Sequence, residues 1–293
     1  MKCIACDSNH LIKVHENLFK CKRCNTLQRE NPDEYYKKIK TVYNDSYFSE
    51  RYKKRHGKDI KQDIDNIKKI ATRRIEIIEN LLLRESECEG CNSINCDGCY
   101  VRNLVKSLKN RKLLDIGCGS GIFLEVAKSR GFKVKGIDFN KHILHILPEN
   151  IKEDVIIGDF LSYETDEKFD VITMFFVLEH MPNVKEVLRK VWGMLKYGGI
   201  LAISTPNGNG FTASLTPSNY YSLIPEDHLY EFSVKSLTNL LKKNNFRISR
   251  IINTGFHPER ITNKKLVFPF VSLYQKIINL GDTFEVYAVK KLP

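Results

Sequence analysis

The stretch Lys112-Leu113-Leu114-Asp115-Ile116-Gly117-Cys118-Gly119-Ser120-Gly121-Ile122-Phe123-Leu124 constrains the fold more than any other part of the chain. Residues 113–116 read as a short apolar strand, 117–121 as a glycine-rich turn, and 122–130 as a helix. Glycines let a ligand lie against the backbone, and the first turn of a helix offers free N–H groups. A dinucleotide fingerprint would place a glycine at 122, where Ile122 stands. The carboxylate of Asp115 beside the turn suits an ammonium or hydroxyl better than a pyrophosphate. A second strand over 133–138 ends at Asp138, about 20 residues past the turn, where a carboxylate can accept from two ribose hydroxyls. Further strands are expected over 154–160, 169–176, 198–207, 246–252 and 283–289, with helices between most of them. That alternation predicts a seven-stranded, mostly parallel α/β sheet with helices on both faces and an antiparallel final strand.

The segments LLDIGCGSG, GIDFN, GDF, FDVITMFFVLEHMPN and LKYGGILAISTPN follow one another in an order and spacing that resembles the class I S-adenosylmethionine-dependent methyltransferases, across about residues 60–293. The resemblance implies a Rossmann-like domain. It implies that Asp115, Gly117, Cys118, Gly119 and Gly121 shape the methionine end of the cofactor site. Asp138 would hold the ribose, with Phe139 beside the adenine. Asp159 and Phe160 would flank the base, and Phe175 and Phe176 would lie near the sulfonium, which aromatic faces attract. Leu178-Glu179-His180, Thr205-Pro206-Asn207 and Asp227-His228 are also similar to the ubiquinone O-methyltransferases and small-RNA 2′-O-methyltransferases. Some of those bind a divalent metal around such positions. Phe176 stands where that pattern has a further glutamate, which leaves a catalytic metal open. His180 or His228 can serve as a base for a hydroxyl nucleophile, with Glu179 orienting an imidazole. The Asn-Pro-Pro-aromatic loop of amide and adenine N-methyltransferases is absent, so transfer to oxygen or carbon is expected.

Eight of the nine cysteines stand in Cys-x-x-Cys pairs. Cys3, Cys6, Cys21 and Cys24 form two knuckles that can close a tetrahedral thiolate shell around structural zinc. The spacer over 11–20 reads as a hairpin feeding the second knuckle, which makes a zinc ribbon. Some 25 residues cannot bury enough core to fold alone, so the metal supplies folding energy. Cys88, Cys91, Cys96 and Cys99 form a second set with a four-residue spacer. Zinc is expected there, and an iron–sulfur cluster is the alternative. Apolar residues from Ile60 to Leu82 recur at helical spacing, so 59–83 reads as a helix. The expected organisation is a ribbon at 1–30, a tyrosine-containing linker at 31–58, and a catalytic domain at 59–293 with an inserted cysteine clip at 86–101.

No apolar run is long enough for a transmembrane helix and no signal core precedes Cys3, so a cytoplasmic protein is expected. The formal net charge of +12 favours anionic partners, but the basic residues are dispersed and lack interleaved aromatics. A zinc-knuckle start, a tyrosine-rich linker and this kind of domain look like methyltransferases acting on sugars and glycans. The expected acceptor is therefore a small molecule or glycan. RNA gripped by the ribbon is the alternative acceptor, and a non-catalytic zinc-scaffolded binding protein is the alternative outside enzymes. The loop over 208–227 is expected to line the acceptor pocket or form a lid. Nothing in the sequence sets the oligomeric state.

Overall fold

A computed structural model describes residues 1–42, 59–85, 109–255 and 268–291, with 53, 57, 257, 261 and 266 as single positions. Cys88, Cys91, Cys96 and Cys99 lie outside the described residues. The chain forms two compact units.

One unit comprises Thr41–Met174, Val191–Ala202 and Val289–Pro293. At its centre runs β4 (Lys112–Ile116), whose Leu113, Leu114 and Ile116 are buried. Burial of four successive residues, Asp115 among them, is what a strand covered on both faces shows. β4 pairs in parallel with β5 (Lys133–Asp138) on one side and with β7 (Phe169–Phe175) on the other. β5 pairs in parallel with β6 (Val155–Ile157). The chain thus runs outward from β4 through β5 and β6 and returns to the opposite side of β4 as β7. Open parallel sheets bind ligands at the carboxyl ends of strands flanking such a reversal.

The helix expected from 59 is α2 (Ile64–Glu85), after α1 (Pro32–Val42) of the other unit, and it starts later than expected. Asp59 and Gln62 each accept from the other's backbone N–H, at 2.9 Å and 3.1 Å, and a 3-10 turn over Lys61–Asp63 follows. This reciprocal capping makes Asp59 a flanking cap rather than a helical residue. Ala71, Ile75, Ile78 and Leu82 are the buried stripe of α2, which packs against α3 (Ile122–Ser129). Each fully buried branched side chain of such a stripe contributes roughly 1.5–3 kcal/mol.

The other unit comprises Met1–Lys40, Phe175–Lys190 and Ile203–Ala288. Its amino-terminal part is an antiparallel sheet in the order β1 (Leu11–His15), β2 (Leu18–Cys21), β3 (Leu27–Arg29) and β9 (Tyr230–Glu231). The expected hairpin is present as β1 and β2. β3 and its pairing with β9, about 200 residues away, were not expected from local pattern. The same unit carries α5 (Phe211–Leu215) and α6 (Pro217–Leu223) within the 208–227 loop, after α4 (Val184–Met194). It continues with α7 (Val234–Lys243), β10 (Phe246–Thr254) and α8 (Phe268–Ile277).

The seven-stranded sheet has the order β10-β11-β8-β7-β4-β5-β6, with β8 at Leu195–Pro206 and β11 at Thr283–Lys290. β8 begins before the expected turn: Gly198, at φ 73°, lies inside the strand, where glycine accommodates a kink without ending it. Among the described residues no helix is long and apolar enough to cross a membrane.

Candidate functional site

Two constellations stand out, one in each unit. The first occupies the carboxyl ends of β4, β5 and β6. Gly117 and Gly119, at φ 70° and 51°, turn the chain after β4, and the Gly117 N–H donates to Ile137 O at 2.7 Å. Asp138, the last residue of β5, accepts from Gly119 N at 3.0 Å on one carboxylate oxygen and from Asn140 N at 2.9 Å on the other. Each oxygen retains a second lone pair, so the carboxylate can take two hydroxyl donors without losing its hold on the turn. Burial raises the Asp138 carboxyl, and these two N–H groups oppose the rise.

Asp115 is buried at the end of β4 and accepts from Thr173 Oγ1 of β7 at 2.6 Å. Burial pushes its carboxyl up to about 7, against the Thr173 hydrogen bond and the attraction of Arg74. A carboxylate in this state is poised to gain a cationic partner. Gly121, at φ 70°, ends the turn, and a Cβ there would meet Leu147 Cδ2 at 2.5 Å. The space left at that glycine is filled by the protein itself, so its role is the bend. Cys118 is buried, with burial pushing its thiol up, and its Sγ would stand 2.8 Å from a Cβ on Gly136. Its side chain is packing, and only its backbone belongs to the turn. Asp159 caps a short 3-10 turn by accepting from Leu161 N at 3.0 Å. Phe160 is buried, whereas Phe139 is 38% exposed. Phe175 ends β7, and Phe176 follows with φ 60°, a left-handed conformation rare for an aromatic residue.

The second constellation lies in the unit that holds the cysteine knuckles. Glu179 and His180 occupy a 3-10 turn after β7, and Asp227 and His228 a turn before β9. The two imidazoles meet edge to face with ring centroids 4.8 Å apart. His180 Nδ1 lies 2.8 Å from the Asp227 carbonyl oxygen and 3.5 Å from Asp227 Oδ2. A carbonyl only accepts, so Nδ1 carries the proton and Nε2 of the neutral ring is bare. His228 Nδ1 likewise donates to Glu231 Oε1 at 2.6 Å, and Tyr220 OH donates to Glu231 Oε2 at 2.7 Å. Burial alone would lower His228, but the carboxylates of Glu231, Glu179 and Asp227 outweigh it and raise the imidazole.

Glu179 is fully buried, and among the described residues neither of its oxygens meets a hydrogen-bond partner of normal geometry. Burial pushes it up to about 7, against the attraction of His228. One ligand atom each from Glu179, His180 and His228 lie within 4.8 Å of one another. Glu179, with no hydrogen bond of normal geometry to either oxygen among the described residues, and the two imidazoles, once His228 is neutral, form a donor set that a divalent cation can accept. Of the two histidines, only His180 has an accessible side chain, at 21% against 4% for His228.

The four amino-terminal cysteines gather as their spacing implied. Cys3 Sγ lies 3.5 Å from Cys24 Sγ, Cys6 Sγ lies 3.6 Å from Cys21 Sγ, and all four sulfurs fall within 4.8 Å of one another. Tetrahedral bonds of about 2.3 Å place sulfurs roughly 3.8 Å apart, so the cluster fits one zinc ion. The two knuckles repeat one geometry: Asp7 N donates to Cys3 O and Asn25 N to Cys21 O, each at 2.9 Å. Asp7 and Asn25 have φ 61° and 60°, a conformation Asp and Asn tolerate better than other side chains. Cys24 is held low by the Cys3 thiol and the Thr26 hydroxyl, which favours the thiolate a metal needs.

Sequence reasoning did not identify Glu231, Thr173 or Arg29. Thr173 and Arg29 reach their partners across 58 and 199 positions, beyond any local spacing, whereas Glu231 stands three residues after His228 in a segment with no motif to mark it.

Residues 96–251, just over half the chain, match the family model described as a methyltransferase domain. A ubiquinone biosynthesis O-methyltransferase from Glaesserella parasuis serovar 5 is 30% identical over 176 residues, 54% of this chain and 75% of that protein. A protein of the same name from Pseudomonas putida (strain GB-1) is 36% identical over 133 residues, 43% of this chain. The chain spans 57% of the length of that Pseudomonas relative. Among solved structures, a SAM dependent methyltransferase from Archaeoglobus fulgidus is similar at 21% identity and TM-score 0.47, over 66% of this chain and 92% of that one.

Proposed function

The chain belongs to the methyltransferase-domain family, and from that premise we propose that it transfers a methyl group from S-adenosylmethionine to an oxygen or carbon of a small-molecule or glycan acceptor. The observation that carries this reading is the reversal at β4, with a glycine turn and two carboxylates, the buried Asp115 and the half-buried Asp138, at the strand ends. Relatives named for O-methylation favour oxygen as the attacked atom.

Asp138 holds the ribose through the lone pairs left free by Gly119 N and Asn140 N. The exposed ring of Phe139 lies against the adenine. Asp115 faces the positive charge of the methionine end, and the backbone of Gly117, Cys118 and Gly119 shapes the turn around it. Asp159, Phe160, Phe175 and Phe176 complete the set assigned to the cofactor, Phe160 as packing. Bound there, S-adenosylmethionine supplies a methyl group on positively charged sulfur. The protein's part is alignment, a dry site and removal of the acceptor's proton. His180 Nε2 takes that proton, because Asp227 O holds the proton of Nδ1 on the other side of the ring. The carboxylates of Asp227, 3.5 Å from His180 Nδ1, and of the buried Glu179 favour the imidazolium that forms.

The ion at Cys3, Cys6, Cys21 and Cys24 is zinc in a structural role, since four thiolates leave no open position. A second reading of the imidazole cluster rests on one observation, the two oxygens of Glu179 that meet no hydrogen-bond partner of normal geometry among the described residues. A divalent cation held by Glu179, His180 and His228 would satisfy them and orient the acceptor's oxygen. Loss of activity on dialysis against a chelator too weak to strip the cysteine site, with recovery on adding Mg²⁺ or Mn²⁺, would favour it.

The acceptor class is tested by transfer of tritiated methyl to cell extract separated into RNA, lipid, nucleotide-sugar and protein fractions, with Asp138→Ala as control. Label in the lipid or nucleotide-sugar fraction supports the reading. Label in RNA alone moves the assignment to an RNA methyltransferase. Absence of label from every fraction, with cofactor bound, leaves a non-catalytic binding protein.

The Asp115 carboxyl gives a pH dependence with a defined sign. It is protonated below about 7 and ionised above, and a cationic ligand prefers the ionised form. Affinity for S-adenosylmethionine should therefore rise about tenfold between pH 6 and 8 and level off above that. Asp115→Asn should flatten the profile. A wild-type affinity that does not change over this range would remove Asp115 from the methionine end.

A further inference from the structure

The cysteine module and the imidazole cluster are joined through one strand pair. Leu27 and Gln28 of β3 lie opposite Glu231 and Tyr230 of β9. The next residue, Arg29, donates its backbone N–H to Leu229 O, its Nε to His228 O and its Nη2 to Pro225 O, each at 3.0 Å. One side chain and its own amide thus engage three carbonyls of the turn that carries Asp227 and His228. That turn is also tied to the turn of Glu179 and His180, since Leu229 N donates to Glu179 O at 2.8 Å.

β3 is in turn fastened to the knuckles. The Gln28 side chain accepts from Ile4 N and donates to Lys2 O, both at 3.0 Å. Cys24 O accepts from Ser233 Oγ at 2.8 Å, where Ser233 caps α7. Asp7 of the first knuckle pairs with Lys185 of α4 and Lys243 of α7. A ribbon this small holds its strands only while its metal is bound.

On the reading of His180 given above, we propose that Arg29 is a positioning residue for methyl transfer: it fixes the 225–229 turn so that the Asp227 carbonyl holds the proton on His180 Nδ1, and the metal of the cysteine module keeps Arg29 in place. The geometry of Arg29 supports this over a generic surface contact. A guanidinium reaches two carbonyls at once with a planar fork, which an ammonium cannot do. Its charge sits over the Tyr35 ring, 4.9 Å from the centroid, which limits where it can swing. The cysteine site then acts on the chemistry from outside it, without touching cofactor or acceptor.

The test uses the full-length, metal-loaded chain and two readouts that do not involve methyl transfer. Amide hydrogen exchange follows residues 226–231, and nitrogen NMR of labelled histidine follows the His180 tautomer. In Arg29→Gln, exchange at 226–231 should accelerate about tenfold and His180 should change from one Nδ1–H tautomer to a mixture, while residues 113–116 keep their protection. Removing the cysteine-bound metal from the wild type should reproduce both changes. Removing it from Arg29→Gln should add less than about twofold at 226–231, because the link is already cut. Arg29→Lys should lie between, since one of the two guanidinium bonds can be replaced.

The proposal is overturned if Arg29→Gln leaves the tautomer and the exchange within about twofold of wild type. It is equally overturned if metal removal accelerates 226–231 as strongly in Arg29→Gln as in wild type. Should Arg29→Gln also lose protection at 113–116, Arg29→Lys decides, and its matching the wild type counts against the proposal. Either failure leaves the assignment of His180 as base untouched, because that assignment is read from turnover.

Discussion

Alanine at His180 lowers the rate of methyl transfer about 10²–10⁴-fold, on this account, while S-adenosylmethionine binds as tightly as before. The expectation follows from the division of labour between the two imidazoles. Both have Nδ1 committed, to Asp227 O in one case and Glu231 Oε1 in the other, but three carboxylates favour the protonated form of His228, which cannot take a further proton. His180 also has the more accessible side chain of the two, the one an acceptor's hydroxyl can approach. His228→Ala should act differently. It empties a buried ring and leaves the Glu231 carboxylate with Tyr220 as its one remaining partner of that pair, so its main effect should be on stability. Turnover is measured with the acceptor identified from extract, at saturating cofactor. Wild-type turnover in His180→Ala would remove the base assignment, and a larger rate loss in His228→Ala would transfer it there.

The second large effect is expected at Asp138. Alanine there deletes a carboxylate proposed to accept two ribose hydroxyls and known to accept two backbone N–H groups. Hydrogen bonds to a charged acceptor contribute about 1.5–3 kcal/mol each, so losing the pair costs roughly 3 kcal/mol or more, about a hundredfold in affinity. The turn itself should survive, because Gly117 N remains bonded to Ile137 O and Gly121 N to Cys118 O. Asp138→Asn keeps the shape and loses the charge, and should fall about tenfold. Equilibrium dialysis with labelled cofactor measures both. An alanine variant within about threefold of wild type would show that the ribose is held elsewhere.

The parts of this molecule legible from sequence are those in which cause and effect are close along the chain. β4, the turn and α3 occupy consecutive residues, and the apolar strand, the glycines and the helical stripe each carry their own signal. The spacing of the first four cysteines is equally local, and the sulfurs gather as it implied. What escaped depends on approach between distant segments. Arg29 meets His228 across 199 positions, and β3 finds β9 over a similar span. Asp115 finds Thr173 across 58. Side-chain environment was also hidden. Gly121 reads as clearance for a ligand, yet Leu147 takes the space, and Phe160 reads as a stacking ring, yet it is buried. Glycine and aromatic residues carry the same letter whether they face a ligand or the core.

The central claim is that the carboxyl ends of β4 and β5 form a seat for S-adenosylmethionine. Titration calorimetry of the full-length chain addresses it most directly, with S-adenosylmethionine in one experiment and nicotinamide adenine dinucleotide in another. Saturable heat for one site per chain is expected with the sulfonium compound, and no saturable heat with the dinucleotide. Binding of the dinucleotide, or no heat from S-adenosylmethionine, would contradict it.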